Sequence, residues 1–326
     1  MRTRPALSCV RLTPPRLARQ NGVAVITALL LTTLAITIVA SLFWQQQVQV
    51  RSIENQRLQL QKQWILRGAL DWAGLILRED AKYSSVDNLD EPWAVSLADT
   101  RLDQYIESDR ADTDIADATL SGGISDAQAR YNLTNLCPNG IINPAEVAIF
   151  ARLLEHTKLD PALAQSTAAL MATTLRKPEA AAGDSVRQVG SQPMKLVQLD
   201  DLLTVPGFYP EAVDRLKDFV IFLPRTTQVN VNTAPVEVLA ALIGTSAPAD
   251  AAALVTSRNT ASFRDLADFT HRLPGKPLAT SPGGASVTTN FFLVNGRVRI
   301  SRAELEMQAL IERNGPTTKL IWIKEY

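Results

Sequence analysis

The stretch GVAVITALLLTTLAITIVASLFW, residues 22–44, decides how this chain is organised. No charged residue lies between Arg19 and Arg51, so the apolar run is longer than the core of an ordinary secretory signal. As a helix, Val23 to Trp44 would extend roughly 33 Å, enough to cross the hydrocarbon core of a bilayer. The stretch therefore predicts a membrane anchor kept in the mature protein, with removal of the whole run as the alternative.

The residues before this stretch are basic, with five arginines and no acidic residue in positions 1–22. The rest of the chain holds 28 basic and 33 acidic residues, so its body is mildly acidic. Basic residues beside an anchor stay on the cytoplasmic side, so the residues after the anchor are expected to cross the membrane. An acidic body is also a poor non-specific partner for nucleic acid.

The helical pattern continues beyond the anchor through residues 45–80, which contain no proline. Apolar residues recur there at helical spacing, at Ile53, Leu60, Trp64, Trp72 and Ile76. We expect this amphipathic segment and the anchor to form one helix, roughly 85 Å long. A membrane helix followed by a separate helix is the alternative, and the absence of a helix breaker after Trp44 favours the continuous form.

The C-terminal end of the chain has a β pattern. Strand-like runs fall at about 290–299, 303–313 and 318–324, with hairpin turns predicted at Asn295–Gly296 and Asn314–Gly315. These runs predict an antiparallel sheet.

A second β region precedes the middle of the chain. Residues 118–136 predict strands with a turn at Gly122–Gly123, and residues 81–115 predict a loop, a short helix and a turn.

Residues 137–285, between the two β regions, are rich in Ala, Leu and Pro and have helical patterns. Helices are expected at 143–156, 160–175, 200–205, 209–220, 234–243, 248–258 and 262–273, most of which begin at a proline or a capping residue. A helical block inserted in this way would divide one small α/β domain into two stretches of sequence. Two consecutive domains are the alternative, but a lone pair of strands before residue 137 needs partners, which favours insertion.

In their order and spacing these features resemble the minor pseudopilin K family of the type II secretion system, also called general secretion pathway protein K. The resemblance covers nearly the whole chain. Its motifs are GVAVITALLL at 22–31, DAQARYNLTNL at 126–136, QVNVNTAPVEVLAAL at 228–242, VTTNFFLV at 287–294 and LEMQALIER at 305–313.

The resemblance implies an α+β fold with three parts. These are a long N-terminal transmembrane and amphipathic helix, a pilin-like antiparallel sheet domain, and a large inserted all-α domain with helix-hairpin-helix-like units. The corresponding ranges are a cleaved leader at 1–22, a transmembrane helix at 23–44, its periplasmic continuation at 45–80, the pilin-like domain at 81–136 and 286–326, and the insertion at 137–285.

The resemblance also implies how the N-terminus is processed. Prepilin peptidase would cut the bond between Gly22 and Val23, after which the new N-terminus is methylated. Thr27 is then the fifth mature residue, where most members of the pilin families have Glu. That Glu neutralises the terminal ammonium of the subunit above, and an unpaired carboxylate in an apolar bundle is costly. Thr27 therefore suits a subunit at the tip of the fibre.

The implied function is that of a minor pseudopilin at the tip of a short periplasmic pseudopilus. It would nucleate assembly with the minor pseudopilins I and J for protein export across the outer membrane. Further implied partners are minor pseudopilin H, the major pseudopilin G, the inner-membrane assembly platform and prepilin peptidase. The implied location is the bacterial inner membrane, crossed once, with the C-terminal domain in the periplasm.

Residues 202–216 and 231–255 look like helix-hairpin-helix units, which can bind a DNA backbone. A single-helix-anchored DNA receptor of competence type is therefore the alternative function. Residues 226–282 carry no net charge, however, so a structural or protein-contact role is favoured and no nucleic acid is expected. Asn230 and Asn232 are expected to serve backbone capping and turn formation.

The acidic stretch DRADTDIAD at 109–117 offers oxygen ligands of the kind that calcium prefers. Its order does not match an EF-hand loop, and a solvated acidic turn is favoured. Members of the resembled family bind calcium in the helical domain, but the corresponding segment here, 175–199, is short and keeps only two acids. No cofactor is assigned, and the calcium candidates are Asp112, Asp114, Asp117 and Asp184.

Cysteines and histidines form no catalytic or metal-binding pattern. Cys9 lies in the leader and Cys137 in the body, so no disulfide framework is predicted. His156 and His271 are far apart in sequence. Because no nucleophile motif, carboxylate pair or phosphate loop is present either, the sequence predicts no enzymatic activity.

Overall fold

The computed structural model describes residues 23–102, 118–175, 194–244, 248–273, 284–300 and 303–326. The chain divides into two units, Met1–Leu60 and Gln61–Tyr326. In the described part of the first unit every residue is helical, and the large apolar side chains from Val23 to Trp44 are exposed.

Helix α1 runs from Val23 to Tyr83 without a break, as the sequence predicted. It is long and apolar enough to cross a membrane. The threonine hydroxyls within the apolar run donate to backbone carbonyls three or four residues earlier in the same helix, at Thr27, Thr32, Thr33 and Thr37. These bonds leave no hydroxyl proton of these threonines unpaired, which suits an apolar environment.

The second unit begins with the last turns of α1, which bury one face of the helix. The buried residues of this face are Lys62, Leu66, Leu70, Ala73, Gly74 and Leu77. Arg78 donates from Nη1 to the Thr318 hydroxyl at 2.8 Å. Two residues of the predicted apolar stripe lie on the other side, because Trp64 is 68% exposed and Trp72 is 50% exposed.

The strands of the described residues form one antiparallel sheet and two small parallel pairs. In chain order they are β1 Leu97–Arg101, β2 Ala118–Asp126, β3 Tyr131–Asn132, β4 Val220–Ile221, β5 Val229–Asn230, β6 Ala285–Ser286, β7 Phe291–Ile300, β8 Ala303–Asn314 and β9 Thr317–Glu325. The antiparallel sheet has the order β1-β2-β7-β8-β9. The three predicted C-terminal strands are confirmed, whereas β1 was not foreseen.

The other α-helices that the structure describes lie in the sequence between β2 and β7, which pair with each other over nine residues from Ala118 to Asp126. They are α2 Pro144–His156, α3 Ala162–Leu175, α4 Pro210–Leu216, α5 Val236–Ile243, α6 Pro248–Thr260 and α7 Leu266–Arg272. At 199–204 the chain forms a 3₁₀-helix, because Pro206 follows too soon for a longer helix.

The segment between β2 and β7 is not entirely helical. Strand β3 pairs with β4, and β5 pairs with β6, in short parallel ladders of two residues each. Its core also includes residues before position 137, since Tyr131 stacks on Phe150 with ring centroids 5.9 Å apart. The expectation of an all-α insertion starting at residue 137 therefore omitted these ladders and contacts, which depend on pairing between distant parts of the chain.

Two predicted turns are wrong, those at Gly122–Gly123 and Asn295–Gly296. Both dipeptides lie inside continuous strands, where Gly122 is the register partner of Gly296. A Cβ on Gly122 would lie 2.2 Å from the Asn295 carbonyl oxygen, and one on Gly296 would lie 3.2 Å from Leu66. These glycines therefore permit close packing instead of a turn. The turn at Asn314–Gly315 is confirmed, with Gly315 at a φ of 55° between β8 and β9.

Candidate functional site

An apolar groove of about 340 Å³ lies beside the last turns of α1. Trp72 and Ile76 line it from the helix, Trp93 and Val95 from the segment before β1, and Met307 from β8. Trp72 and Val95 are 50% and 73% exposed, so large apolar side chains border the groove in contact with solvent. Exposed apolar surface of this kind is typical of interaction sites.

The exposed surface extends along α1 beyond the groove. Trp64 and Leu75 are 68% and 46% exposed, and their spacing from Trp72 places all three on one side of the helix. We call Trp64, Trp72, Leu75, Ile76 and Val95 the α1 apolar surface.

A buried ionic cluster lies where α1 ends. Arg313 of β8 donates from Nη1 to Asp80 at 2.7 Å and from Nη2 to Asp87. Glu91 completes the cluster, because its carboxylate and those of Asp80 and Asp87 offer oxygens within 4.8 Å of one another. Three carboxylates at this spacing resemble a cation site, but the Arg313 guanidinium supplies the positive charge between two of them.

Burial is the largest influence on the pKa values of the two aspartates in this cluster. It raises the pKa of Asp80 to about 6, an effect that the Glu91 charge reinforces and that Arg313 opposes. Burial likewise raises the pKa of Asp87, against the attraction of Arg313. Trp93 donates its indole N–H to Glu91 at 2.7 Å, which ties the lining of the groove to the cluster.

A second buried carboxylate, Asp126 at the end of β2, joins three stretches of chain. Its Oδ2 accepts hydrogen bonds from Thr233 at 2.6 Å, Thr289 at 2.7 Å and Asn230 at 2.8 Å. Its Oδ1 accepts from the backbone N–H of Gln128 at 2.7 Å. Burial raises the pKa of Asp126 to about 6, and the three side-chain hydrogen bonds oppose that rise.

Asn230 connects the two carboxylate sites, because its amide also donates to the Asp87 carbonyl at 3.0 Å. Its Oδ1 accepts from the backbone of Asn232, and the Asn232 side chain in turn pairs with the backbone of Phe263. The predicted role in turn formation is confirmed for Asn230, whereas the Asn232 side chain pairs with backbone groups 31 residues away. The contact between Asn230 and Asp126 was not foreseen.

Two arginines of the helix-hairpin-helix-like segment, residues 202–273, are engaged within the protein, whereas Arg264 of the same segment is 86% exposed. Arg258 is buried and donates from Nη1 to the carbonyls of Val231 and Ala234, at 2.7 and 2.6 Å. Arg272 pairs with Asp268 at 2.7 Å, and this bond lowers the pKa of that carboxyl. Arginines held in this way are not directed at a phosphate backbone.

Comparison with known proteins finds similarity to one family. Two family models described as type II secretion system protein K match the chain, over residues 129–225 and 229–288. Type II secretion system protein K of Pseudomonas aeruginosa is 29% identical over 314 residues, which cover 90% of this chain and 89% of that protein. The Aeromonas hydrophila protein of the same name is 24% identical over 338 residues, with 95% and 98% covered.

The chain matches the type II secretion system protein K family. Members of this family are minor pseudopilins, so the resemblance recognised in the sequence is confirmed. A chain of the crystal structure of the GspK–GspI–GspJ complex from enterotoxigenic Escherichia coli matches with a TM-score of 0.56 at 20% identity. That match covers 85% of this chain and 99% of the other, and it shows that the fold is shared.

Of the three residues predicted to serve N-terminal processing and fibre packing, the structure describes two. Val23 is the first residue of α1, while Gly22 lies outside the described residues. Thr27 donates its hydroxyl to the carbonyls of Val23 and Ala24, each at 3.0 Å, so its polar group is paired within its own helix.

The calcium candidates Asp112, Asp114, Asp117 and Asp184 lie outside the described residues. His156 and His271 lie in the last turns of α2 and α7. Cys137 is buried, and burial raises the pKa of its thiol.

The sequence reasoning missed the ionic cluster, although β8 carries a signal for it. Leu305, Met307 and Ile311 occupy buried, alternate positions, and Arg313 takes the next inward position of the same strand. A charged residue on the buried face of a strand requires a partner. That rule predicts a carboxylate facing Arg313 but does not identify which one.

Proposed function

We propose that this protein K chain sits at the tip of a type II pseudopilus, where it nucleates assembly with the minor pseudopilins I and J for protein export across the outer membrane. The observation that carries the proposal is the α1 apolar surface, left uncovered beside the sheet of a protein K fold. A related chain is found in the GspK–GspI–GspJ complex of Escherichia coli.

The α1 apolar surface contributes the contact with the partner subunits. Covering Trp64, Trp72 and Val95, each at least half exposed, would remove a large apolar area from water. Aromatic residues at the centre of an interface commonly dominate its binding energy. Trp72 is the expected anchor, because it lines the groove and remains half exposed.

Two features support the tip position. The hydroxyl of Thr27 is paired within its own helix, so no group at this position needs the terminal ammonium of a subunit above. The insertion at 137–285 adds bulk that is hard to fit beneath another subunit in a thin fibre but is tolerated at its end.

The N-terminus supports membrane insertion and processing. The leader at 1–22 is removed by prepilin peptidase at the bond between Gly22 and Val23, and residues 23–44 remain as the anchor. Before cleavage, the basic residues of the leader keep the N-terminal end of the anchor at the cytoplasmic face of the inner membrane. Residues 45–80 and the rest of the body therefore lie in the periplasm. The assembly platform, the major pseudopilin G and minor pseudopilin H complete the set of partners.

Co-purification tests the partner surface. The full chain in detergent is co-expressed with pseudopilins I and J, and Trp72→Glu is expected to reduce their recovery by about tenfold or more, as for an interface hot spot. Leu203→Glu is the matched control, because Leu203 is 44% exposed and is not among the residues that line the groove. Equal recovery with both variants would refute the surface, and no complex with the native chain would refute the partners.

A further inference from the structure

A small polar cavity of about 120 Å³ lies on the helix-hairpin-helix-like segment and shares no lining residue with the groove beside α1. Arg258, Asn259 and Ser262 line it from α6 and the residues just after that helix. Asn88 and Asp90, from the loop after α1, line the opposite side.

Arg258 is an unusual cation for so buried a position. Arg258 is only 8% exposed, and its guanidinium forms no ion pair with any residue that the structure describes. Both of its hydrogen bonds to the described carbonyls use Nη1, while Nε is buried without a hydrogen-bond partner. Burial lowers the pKa of this guanidinium to about 10, so it stays charged at neutral pH. A buried charge in this state is stabilised by a counter-ion.

Further hydrogen-bond donors face the same cavity. The side chains of Asn259 and Ser262 form no hydrogen bond with another described residue, so an amide N–H and a hydroxyl are available. Asn88 and Asn232 also line the cavity, but their side chains are already paired, with Glu91 and with the backbone of Phe263. The available groups therefore favour an acceptor that carries negative charge.

Size and charge narrow the choice of ligand. The cavity is far smaller than the sites of drug-sized ligands, which occupy about 300–1,000 Å³. It accommodates the few heavy atoms of a carboxylate group, whose planar oxygens match a guanidinium edge. Asp90 at the rim disfavours a doubly charged anion such as phosphate more than it disfavours a singly charged one.

We propose that this cavity binds a carboxylate, with Arg258 as its counter-charge and Asn259 and Ser262 as additional donors. The carboxylate belongs either to a small organic acid or to an acidic side chain of another protein, since both present the same planar monoanion. The site shares no residue with the α1 apolar surface, so its failure would leave the argument for the proposed partner contact unchanged.

Titration with ¹³C-labelled acetate tests the proposal on the full chain in detergent micelles with acetate-free buffer. Saturable binding is expected by NMR, with a dissociation constant on the order of 1–10 mM for so small a ligand. Asn259→Ala with Ser262→Ala is expected to weaken binding about three- to tenfold while leaving the Arg258 contacts to Val231 and Ala234 in place. Absence of saturation up to about 100 mM, or unchanged binding by this double variant, would overturn the site.

Two single variants distinguish a specific site from general electrostatic attraction. Arg264→Gln removes a charge of the same segment whose side chain is 86% exposed, and it should leave acetate binding unchanged. Asp90→Asn removes the like charge at the rim and should tighten binding about two- to fivefold. If Asp90→Asn instead lowers the melting temperature without tightening acetate binding, Asp90 is itself the counter-ion and the proposal is wrong.

A competition arm identifies the source of the carboxylate. Acetate binding is measured again after pseudopilins I and J are bound to the full chain. Loss of the acetate signal in the complex assigns the carboxylate to a partner protein. A retained signal assigns it to a small acid.

Discussion

At the scale of single residues, Asp126 holds the second unit together through its donors. Thr233 and Asn230 lie just before α5, Thr289 lies just before β7, and Gln128 follows β2. A carboxylate that accepts hydrogen bonds from four groups satisfies buried donors that would each be costly if left unpaired. One acidic side chain thus joins the sheet to the segment that carries the helices.

Asp126→Asn is expected to lower the free energy of unfolding by about 1–3 kcal/mol. The change preserves the shape of the side chain. In either orientation, however, the amide NH₂ replaces an oxygen that accepts a hydrogen bond, and its N–H groups then face the donor of that bond. Chemical denaturation of the full chain in detergent measures the effect. Asp71→Asn, at an exposed position of α1, is the control and should change stability by less than about 0.5 kcal/mol. Equal stability of the Asp126→Asn variant and the native chain would contradict the role given to this carboxylate.

The same carboxylate predicts a pH dependence. Because the folded-state pKa of Asp126 is about 6, above its ordinary 3.8, protonation favours the fold. Its contribution to stability is therefore full below pH 3.8 and is lost as pH rises through 6. The stability difference between the native chain and Asp126→Asn should widen by about 1–3 kcal/mol between neutral pH and pH 4, since the amide does not titrate. Denaturation at both pH values checks this, and a difference that narrows at low pH would show that the pKa is depressed instead.

At the scale of elements, the packing of α1 on the sheet depends on paired glycines. Gly122 of β2 and Gly296 of β7 are register partners, and Leu66 of α1 lies over Gly296. A side chain at either glycine would meet an atom at 3.2 Å or less, on the backbone of β7 or on Leu66. Small residues here permit the close approach of three elements.

Gly122→Ala is expected to destabilise the chain by about 1–3 kcal/mol, the range of an overpacked site. The new Cβ would lie 2.2 Å from the Asn295 carbonyl oxygen, a backbone atom that cannot move alone. Gly123→Ala is a close control, because its Cβ would lie 3.6 Å from Ser96, an ordinary contact. Thermal unfolding of the two variants tests this, and equal melting temperatures would show that the sheet adapts.

At the scale of the whole molecule, the apolar anchor and the large body are expected to determine which position this subunit occupies in a fibre. Residues 23–44 are apolar enough to span a membrane, whereas the body has an exposed apolar surface on α1 and a long insertion between β2 and β7. A subunit that combines one exposed apolar surface with a large insertion fits the end of a fibre better than a position repeated along its shaft.

Labelling of intact pseudopili tests that position. A tag on this subunit is expected at one end of each fibre, and Thr27→Glu is expected to reduce the number of fibres. The added carboxylate would lie among apolar helices without a terminal ammonium to pair with, so it either protonates or opposes initiation. Thr27→Ser is the control, because it keeps a hydroxyl that can bond within the helix. Label repeated along the shaft would refute the tip assignment.

Local patterns in the sequence were sufficient for most of the elements. The uncharged run after Arg19 predicted α1, and alternating residues predicted β7, β8 and β9 within one or two positions. Proline and capping residues placed the starts of α2 and α6. These features depend on residues a few positions apart, because helix and strand periods repeat over that distance.

The tertiary structure alone decided which residues meet. Asn230, Thr233 and Thr289 reach Asp126 across sequence separations of 104, 107 and 163 residues, and no local pattern encodes such distances. The same limit explains the misread glycines, since Gly122 looks like a turn residue until Gly296 lies opposite it. The sequence by itself thus determined the anchor, most of the elements and the family, while the carboxylate clusters, the apolar groove and the Arg258 cavity arose only when the fold excluded water from side chains distant in the chain.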